Sequence, residues 1–237
     1  MNVAMIMAGG VGNRMGANIP KQYIKIHGKP IIVYTLEIFE KSQDVDAIEV
    51  VCAAKWIPYV EELCKEYCIS KLKWIAEGGE TCQDSIRHGI FNLRDKISQN
   101  DNLMIHMSVS PFVSLETIHN GFSVSQEKGN AFAARPCLFC LCKKTNEEWS
   151  NENAYKEEYV QLNMPWVINY GTVLNLYTDA LEKSIGCDLK DYLPSLMYSY
   201  GMKTYFFEDN DRNFLKITTK SDLELFEAFL KIDEESK

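Results

Sequence analysis

Four short apolar runs, "NVAMIMA" (2–8), "AIEVVCAA" (47–54), "LKWIAEGG" (72–79) and "NLMIHMSV" (102–109), recur along the first half of the chain. The first two, short and bounded by glycine or polar residues, suit strands buried on both faces, and the other two read as strands as well. Between them, apolar residues return every three or four positions. Residues 30–42 do so through Ile31, Ile32, Leu36 and Phe39, and 59–68 and 82–97 follow the same period. Strands alternating with amphipathic helices at this spacing define βαβ units. The expected fold is therefore α/β, a Rossmann-like, mainly parallel sheet with helices on both faces. A length of 237 residues with 46% hydrophobic content is enough for one such domain with a large core.

The second half adds two features. "KSDLELFEAFLKIDEE" (220–235) lines Leu223, Phe226 and Leu230 along one face, and Thr219 with Asp222 forms a capping-box pattern at its start. Residues 143–160, "KKTNEEWSNENAYKEEYV", are polar and lack a core period, which marks an excursion from the domain or a disordered polar loop. The formal net charge of −8 argues against nucleic acid or an anionic membrane as a partner. No run approaches the ~18 apolar residues of a membrane span, and "VAMIMA" is too short for a signal-peptide core, so a cytoplasmic protein is expected. The eight cysteines lack a framework and read as reduced core thiols, with "CLFCLC" (Cys137, Cys140, Cys142) as a possible metal nest.

The first apolar run passes directly into "GGVGNRMGANIPKQY". Glycines at the carboxyl end of a buried strand let successive N–H groups converge on a phosphate without a Cβ intervening. Arg14 and Lys21 would flank that concavity with charge, and Pro20 would stiffen the approach to the lysine. The pattern is neither G-x-x-x-x-G-K-[ST] nor a dinucleotide fingerprint, because Met15 stands where the third glycine belongs. The plainer alternative is a tight turn with two surface cations.

"MAGGVGNRMGANIPKQYIKIHGKPIIVYTL" resembles the N-terminal signature of the polyol-phosphate cytidylyltransferases, which include the methylerythritol-phosphate and ribitol-5-phosphate enzymes. "GGETCQDSI" (78–86) is similar to that family's second motif, and "RNFLKITTKSDLELFE" (212–227) to its C-terminal lysine motif. The resemblance covers nearly the whole chain. It implies transfer of a cytidylyl group from CTP to a polyol phosphate with release of pyrophosphate, assisted by Mg²⁺ or another divalent cation. It places Ala8, Gly9, Gly10 and Gly12 around the triphosphate and gives Arg14, Lys21 and Lys216 catalytic roles. It puts Gly79, Glu80 and Ser85 at the cytosine, with Gln22 favouring a pyrimidine. It further implies a homodimer built through a β-arm at about 137–163, with Trp149 and Tyr155 as anchors. For Ser85 a helix-start hydroxyl, and for Lys216 a surface lysine on a strand edge, are the competing readings.

The departures from the family cluster on the acceptor side. "IHMSVSPF" has Met107 and Ser110 where the family pattern H-D-x-x-R-P carries aspartate and arginine. Cys82 replaces the second motif's arginine, "NMPWVIN" (163–169) stands for a Thr-Pro-Gln segment, and Cys187-Asp188 for a threonine-aspartate pair. A thioether is a poor ligand for Mg²⁺, which leaves the metal-holding residue unknown, with Asp188, Asp209 and Asp211 as candidates. Two other readings therefore stand beside the working enzyme. One is a catalytically degenerate nucleotide-binding relative, and the other a nucleotidyltransferase with an altered acceptor or base.

Overall fold

The computed structural model describes residues 1–10, 19–185 and 192–235. Strand β1 (Asn2–Met7) lies at the heart of a seven-stranded sheet. A small ribbon, β2 (Lys25–Ile26) with β3 (Lys29–Pro30), leads into helix α1 (Ile31–Lys41). The chain continues through β4 (Ala47–Cys52), α2 (Ile57–Glu66), β5 (Leu72–Glu77), α3 (Cys82–Asn92) and β6 (Asn102–Met107). Next come α4 (Leu115–Lys128), β7 (Asn130–Pro136), the short strands β8 (Leu141–Lys143) and β9 (Glu152–Ala154), and β10 (Val160–Asn169). Helices α5 (Tyr170–Lys183) and α6 (Leu193–Ser199), strand β11 (Phe206–Glu208) and helix α7 (Lys220–Glu235) complete it.

The large sheet has the order β11-β7-β10-β6-β1-β4-β5. β6, β1, β4 and β5 are parallel, whereas β10 runs antiparallel to both β6 and β7, and β11 returns parallel to β7. The sheet is thus mainly parallel, as its apolar runs require. Side chains of β1 alternate between two cores. Val3, Met5 and Met7 meet Ile86 and Ile90 of α3 and Tyr170 and Val173 of α5, while Ala4, Ile6 and Ala8 meet α1, α2 and α4.

Three expected helices end within a few residues of their sequence bounds, although α3 stops at Asn92 and residues 93–97 tighten into turns rather than continuing the helix. The capping box is reciprocal: Asp222 Oδ2 accepts from the Thr219 N–H at 2.8 Å, and Thr219 Oγ1 accepts from the Asp222 N–H at 3.3 Å. Phe226 then anchors α7 in a third, smaller core with Ile26, Ile31, Val109 and Ile217. Among the described residues no helix is long and apolar enough to cross a membrane. The polar excursion is ordered as a β8–β9 hairpin in the register Leu141↔Ala154, Cys142↔Asn153 and Lys143↔Glu152. It leaves Leu138, Phe139, Trp149 and Tyr155 each more than half exposed.

Candidate active site

The carboxyl ends of β1, β4, β5 and β6 open into a cavity of about 450 Å³. This is where ligands gather in open α/β sheets. Gly9 and Gly10 form one wall, Gly79, Glu80 and Thr81 a second, and Lys21 and Lys216 bring positive charge from opposite ends of the chain. Ala8 is buried behind the cavity and not part of its lining. Gly12 and Arg14 lie outside the described residues.

Gln22 holds the first wall. It is 2% exposed, and its Nε2 donates to Ala8 O at 2.5 Å and Gly10 O at 2.9 Å. A side-chain amide carries two N–H donors, and both are spent on the loop backbone. Gln22 therefore braces the glycine loop with its two N–H groups, while the residue itself remains in the cavity lining.

Ser85 holds the second wall. Its Oγ accepts from the Gly79 N–H at 3.0 Å and lies 3.4 Å from Gly79 O. The hydroxyl that starts α3 is Thr81, which accepts from the Asp84 N–H at 3.0 Å. Ser85 is thus no helix cap; it folds the double glycine back over the first turn of α3. Gly79 has no room for a side chain, since a Cβ there would sit 2.3 Å from Asp84 Cβ.

Lys21 and Lys216 come from distant segments. Lys21 follows Pro20 in a single helical turn, Lys21–Tyr23, and its Nζ donates to Ile217 O at 2.6 Å. Ile217 N–H in turn donates to Val109 O at 2.9 Å, so the segment carrying Lys216 is laid across the end of β6. Lys216 Nζ stands 5.7 Å from the Tyr192 ring centroid. It lies in an irregular segment ahead of α7, not on a strand edge. Burial pushes the Cys82 thiol up, and the nearby Lys216 charge only partly opposes it. Cys82 is therefore a neutral part of the wall at neutral pH.

The turn after β6 is fixed from several sides. Ser108 N–H donates to Met7 O at 3.0 Å, and Thr35 Oγ1 donates to Ser108 O at 3.0 Å. His106 is fully buried, and desolvation pushes it down to about 4, so the ring is neutral. Its Nε2 lies 2.9 Å from Ser110 O. A carbonyl only accepts, so Nε2 carries the proton. Met107 lines the cavity, whereas Ser110 is buried beneath the turn and does not reach it.

Two sequence expectations fail on position. Asp209 is buried against α4, where its carboxylate accepts from Thr117 Oγ1 and Asn213 Nδ2, and it takes no part in the cavity. Asp188, Cys187 and the Asp211 side chain lie outside the described residues. The cysteine cluster does not assemble: Cys137 is buried with its thiol 3.7 Å from Phe139 O, while Cys140 and Cys142 are exposed. Among the described residues no three His, Cys, Asp or Glu side chains gather as a metal site.

Sequence reasoning also missed residues. Thr81, Ala53, Ser108 and Tyr192 line the cavity. Met107, Tyr192 and Lys216 are shared with an adjoining chamber of about 400 Å³ that reaches Trp166 and Tyr198. The sequence signals for that chamber were the departures at Met107 and "NMPWVIN", together with Lys216.

A family model described as IspD, 2-C-methyl-D-erythritol 4-phosphate cytidylyltransferase, matches residues 2–232. The chain is 33% identical over 231 residues to a ribitol-5-phosphate cytidylyltransferase of Lacticaseibacillus paracasei, covering 98% of each chain. It is also 33% identical over 229 residues to a 2-C-methyl-D-erythritol 4-phosphate cytidylyltransferase of Clostridium perfringens, covering 97% of this chain and 98% of the other. In fold it is similar to the crystal structure of 4-diphosphocytidyl-2C-methyl-D-erythritol synthase from Anaerococcus prevotii, with a TM-score of 0.80, 17% identity, and 98% and 96% of the two chains covered. With these motifs, this sheet and a match over nearly its full length, the chain belongs to the IspD family of cytidylyltransferases.

Proposed function

We propose that the chain transfers a cytidylyl group from CTP to a polyol phosphate. The observation that carries this reading is the braced glycine cavity, with Lys21 and Lys216 converging on it from opposite ends of the chain. Backbone N–H groups and two ammonium ions suit a triphosphate, and the acceptor's phosphate oxygen is already an anionic nucleophile. That oxygen forms the new bond to the α-phosphorus. The bond from the α-phosphorus to the bridging oxygen breaks, and its electron pair leaves with pyrophosphate. No proton has to be moved, so the protein's work is alignment and charge neutralisation. Lys21 and Lys216 supply the neutralising charge, Gly9 and Gly10 cradle the triphosphate, and the Gly79–Glu80 wall closes over the base. Arg14 and Gly12 are assigned to the same triphosphate.

Glu80 is the one carboxylate among the described residues of the cavity wall, and Met107 offers only a thioether. This donor set does not build a resident cage for Mg²⁺, which prefers hard oxygen ligands. Magnesium therefore enters with CTP, as part of the nucleotide substrate. Full-length protein with CTP, Mg²⁺ and a panel of polyol phosphates should release pyrophosphate. Lys21→Ala should abolish release while its circular dichroism stays unchanged. Full activity in that variant would show that the site is misplaced.

The acceptor-side replacements at Met107, Ser110 and Cys82 favour a second reading, a relative that holds nucleotide without turning it over. CTP binding by calorimetry with no product from any acceptor would support it. The exposed apolar side chains of the 137–163 arm support a homodimer in which each arm reaches the partner. The reaction is assigned to the cytoplasm, where CTP is found.

A further inference from the structure

The segment that carries Lys216 is held on both sides of that lysine. After it, Ile217 N–H is pinned to Val109 O, and Lys21 Nζ to Ile217 O. Before it, Asn213 and Phe214 are gripped by β7 and β10, the two strands from which the arm springs. β10 bulges there: Leu162 pairs with Ala134 and Trp166 with Phe132, so β10 takes four steps where β7 takes two. A bulge turns groups out of the ladder and re-aims them. Here the Met164 carbonyl accepts from Asn213 Nδ2 at 2.9 Å, and Asn163 Nδ2 donates to Asn213 O at 2.7 Å. Asn213 is fully buried, and its amide also donates to the Asp209 carboxylate. Thr117 Oγ1 donates to the same carboxylate at 2.7 Å, which ties the cluster to α4. One residue on, the Arg135 guanidinium lies 3.9 Å from the Phe214 ring centroid. Arg135 Nε donates to Gln161 Oε1 at 2.8 Å, across a register pair at the root of the arm.

Asn163 and Met164 also line the chamber that adjoins the nucleotide cavity, a space they share with Lys216. The bonds through Asn213 therefore set how far the lysine's segment stands from that chamber's wall. A buried amide with both N–H groups engaged and a guanidinium stacked on a ring leave this segment little freedom. Asn213 and Arg135 are absent from the lining of both spaces, so whatever they do for the reaction passes through Lys216. Resting on the cytidylyltransferase reading, we propose that Asn213 and Arg135 are positioning residues that aim Lys216 at the phosphate of the acceptor. A shift of about 1 Å in such a group costs on the order of a hundredfold in rate. The nucleotide end keeps its own support, because Ile217 stays on Val109 and Lys21 on Ile217.

The test is kinetic, on full-length protein with CTP, Mg²⁺ and two acceptor probes, ribitol 5-phosphate and 2-C-methyl-D-erythritol 4-phosphate. Arg135→Met removes the fork and its bond to Gln161, Arg135→Lys returns a cation over Phe214, and Asn213→Ala removes the amide. Arg135→Met and Asn213→Ala should each lower kcat/KM for the acceptor at least about tenfold. Binding of the α,β-methylene analogue of CTP, measured by calorimetry, should stay within about threefold, and Arg135→Lys should recover part of the lost rate. If Asn213→Ala does not fold, the two Arg135 variants decide. Unchanged acceptor kcat/KM in Arg135→Met, a loss of analogue binding as large as the loss of turnover, or no recovery in Arg135→Lys overturns the proposal alone. An unaltered protein that transfers to neither probe overturns the parent reading and this inference together.

Discussion

Replacing Glu49 by Gln should make the fold less sensitive to rising pH, by an amount the structure allows to be worked out. Glu49 lies in β4 with no exposed surface. Its Oε1 accepts from Asn92 Nδ2 at 2.6 Å, and its Oε2 has no partner. Burial pushes the carboxyl from the ordinary 4.5 up to about 8, while the Asn92 hydrogen bond and the Lys96 charge pull the other way. A raised folded-state value on an acid means that the native protein keeps a proton the unfolded chain has released. Stability contributed by this group is therefore present below about pH 4.5 and is lost as pH climbs toward about 8. Each unit in that window is worth about 1.4 kcal/mol. Between about pH 5.5 and about pH 7.5 the loss is on the order of 3 kcal/mol, a large share of the roughly 5–15 kcal/mol that holds a domain together. Glu49→Gln keeps the acceptor for Asn92 and removes the titration. Urea unfolding of both proteins, followed by circular dichroism across that range, should show their stability difference growing with pH by about that amount. A difference that stays constant with pH would refute the reasoning.

Other perturbations test the walls of the cavity. Ser85→Ala strands the Gly79 N–H and should cost about 1–3 kcal/mol of stability in urea unfolding, with weaker CTP binding by calorimetry. Gly79→Ala drives a Cβ into the first turn of α3 and should lower the thermal midpoint measured by circular dichroism. If Gln22 braces the loop and does not read the base, Gln22→Ala should weaken CTP and UTP binding by the same factor, and a changed ratio would count against the brace. If the arm builds the proposed homodimer, Trp149→Ser with Tyr155→Ser should shift the sedimentation of the protein toward monomer while leaving its circular dichroism unchanged.

The elements that could be read from sequence are those whose physics is local. β1, β4, β5 and β6 are short, predominantly apolar runs, and α1, α2 and α7 repeat their apolar residues at helical period, so their types follow without knowledge of the fold. β10 was invisible for the opposite reason. It starts in the polar arm, carries Pro165 in its middle and becomes continuously apolar only where β6 joins it on its second side. In the site, the glycines and Lys21 announce themselves by composition, and Lys216 by its motif. Gln22 looks like a polar neighbour of a lysine until the loop folds back and presents its two carbonyls. The second chamber depends on Met107, Trp166 and Tyr192 meeting across three separate segments, a relation that no local pattern encodes.

The hydrogen bond from Lys21 to Ile217 ties an early residue to a late one. During synthesis the amino-terminal strands and their glycine turn emerge first and begin to organise, but the carbonyl that steadies Lys21 is still inside the ribosome. A nascent or prematurely terminated chain thus has only half of its anion-holding surface. Competence to grip a nucleotide arrives late in translation, once the segment carrying Lys216 and Ile217 has emerged, so a protein cut just before Lys216 would keep much of its sheet and have no second lysine to offer.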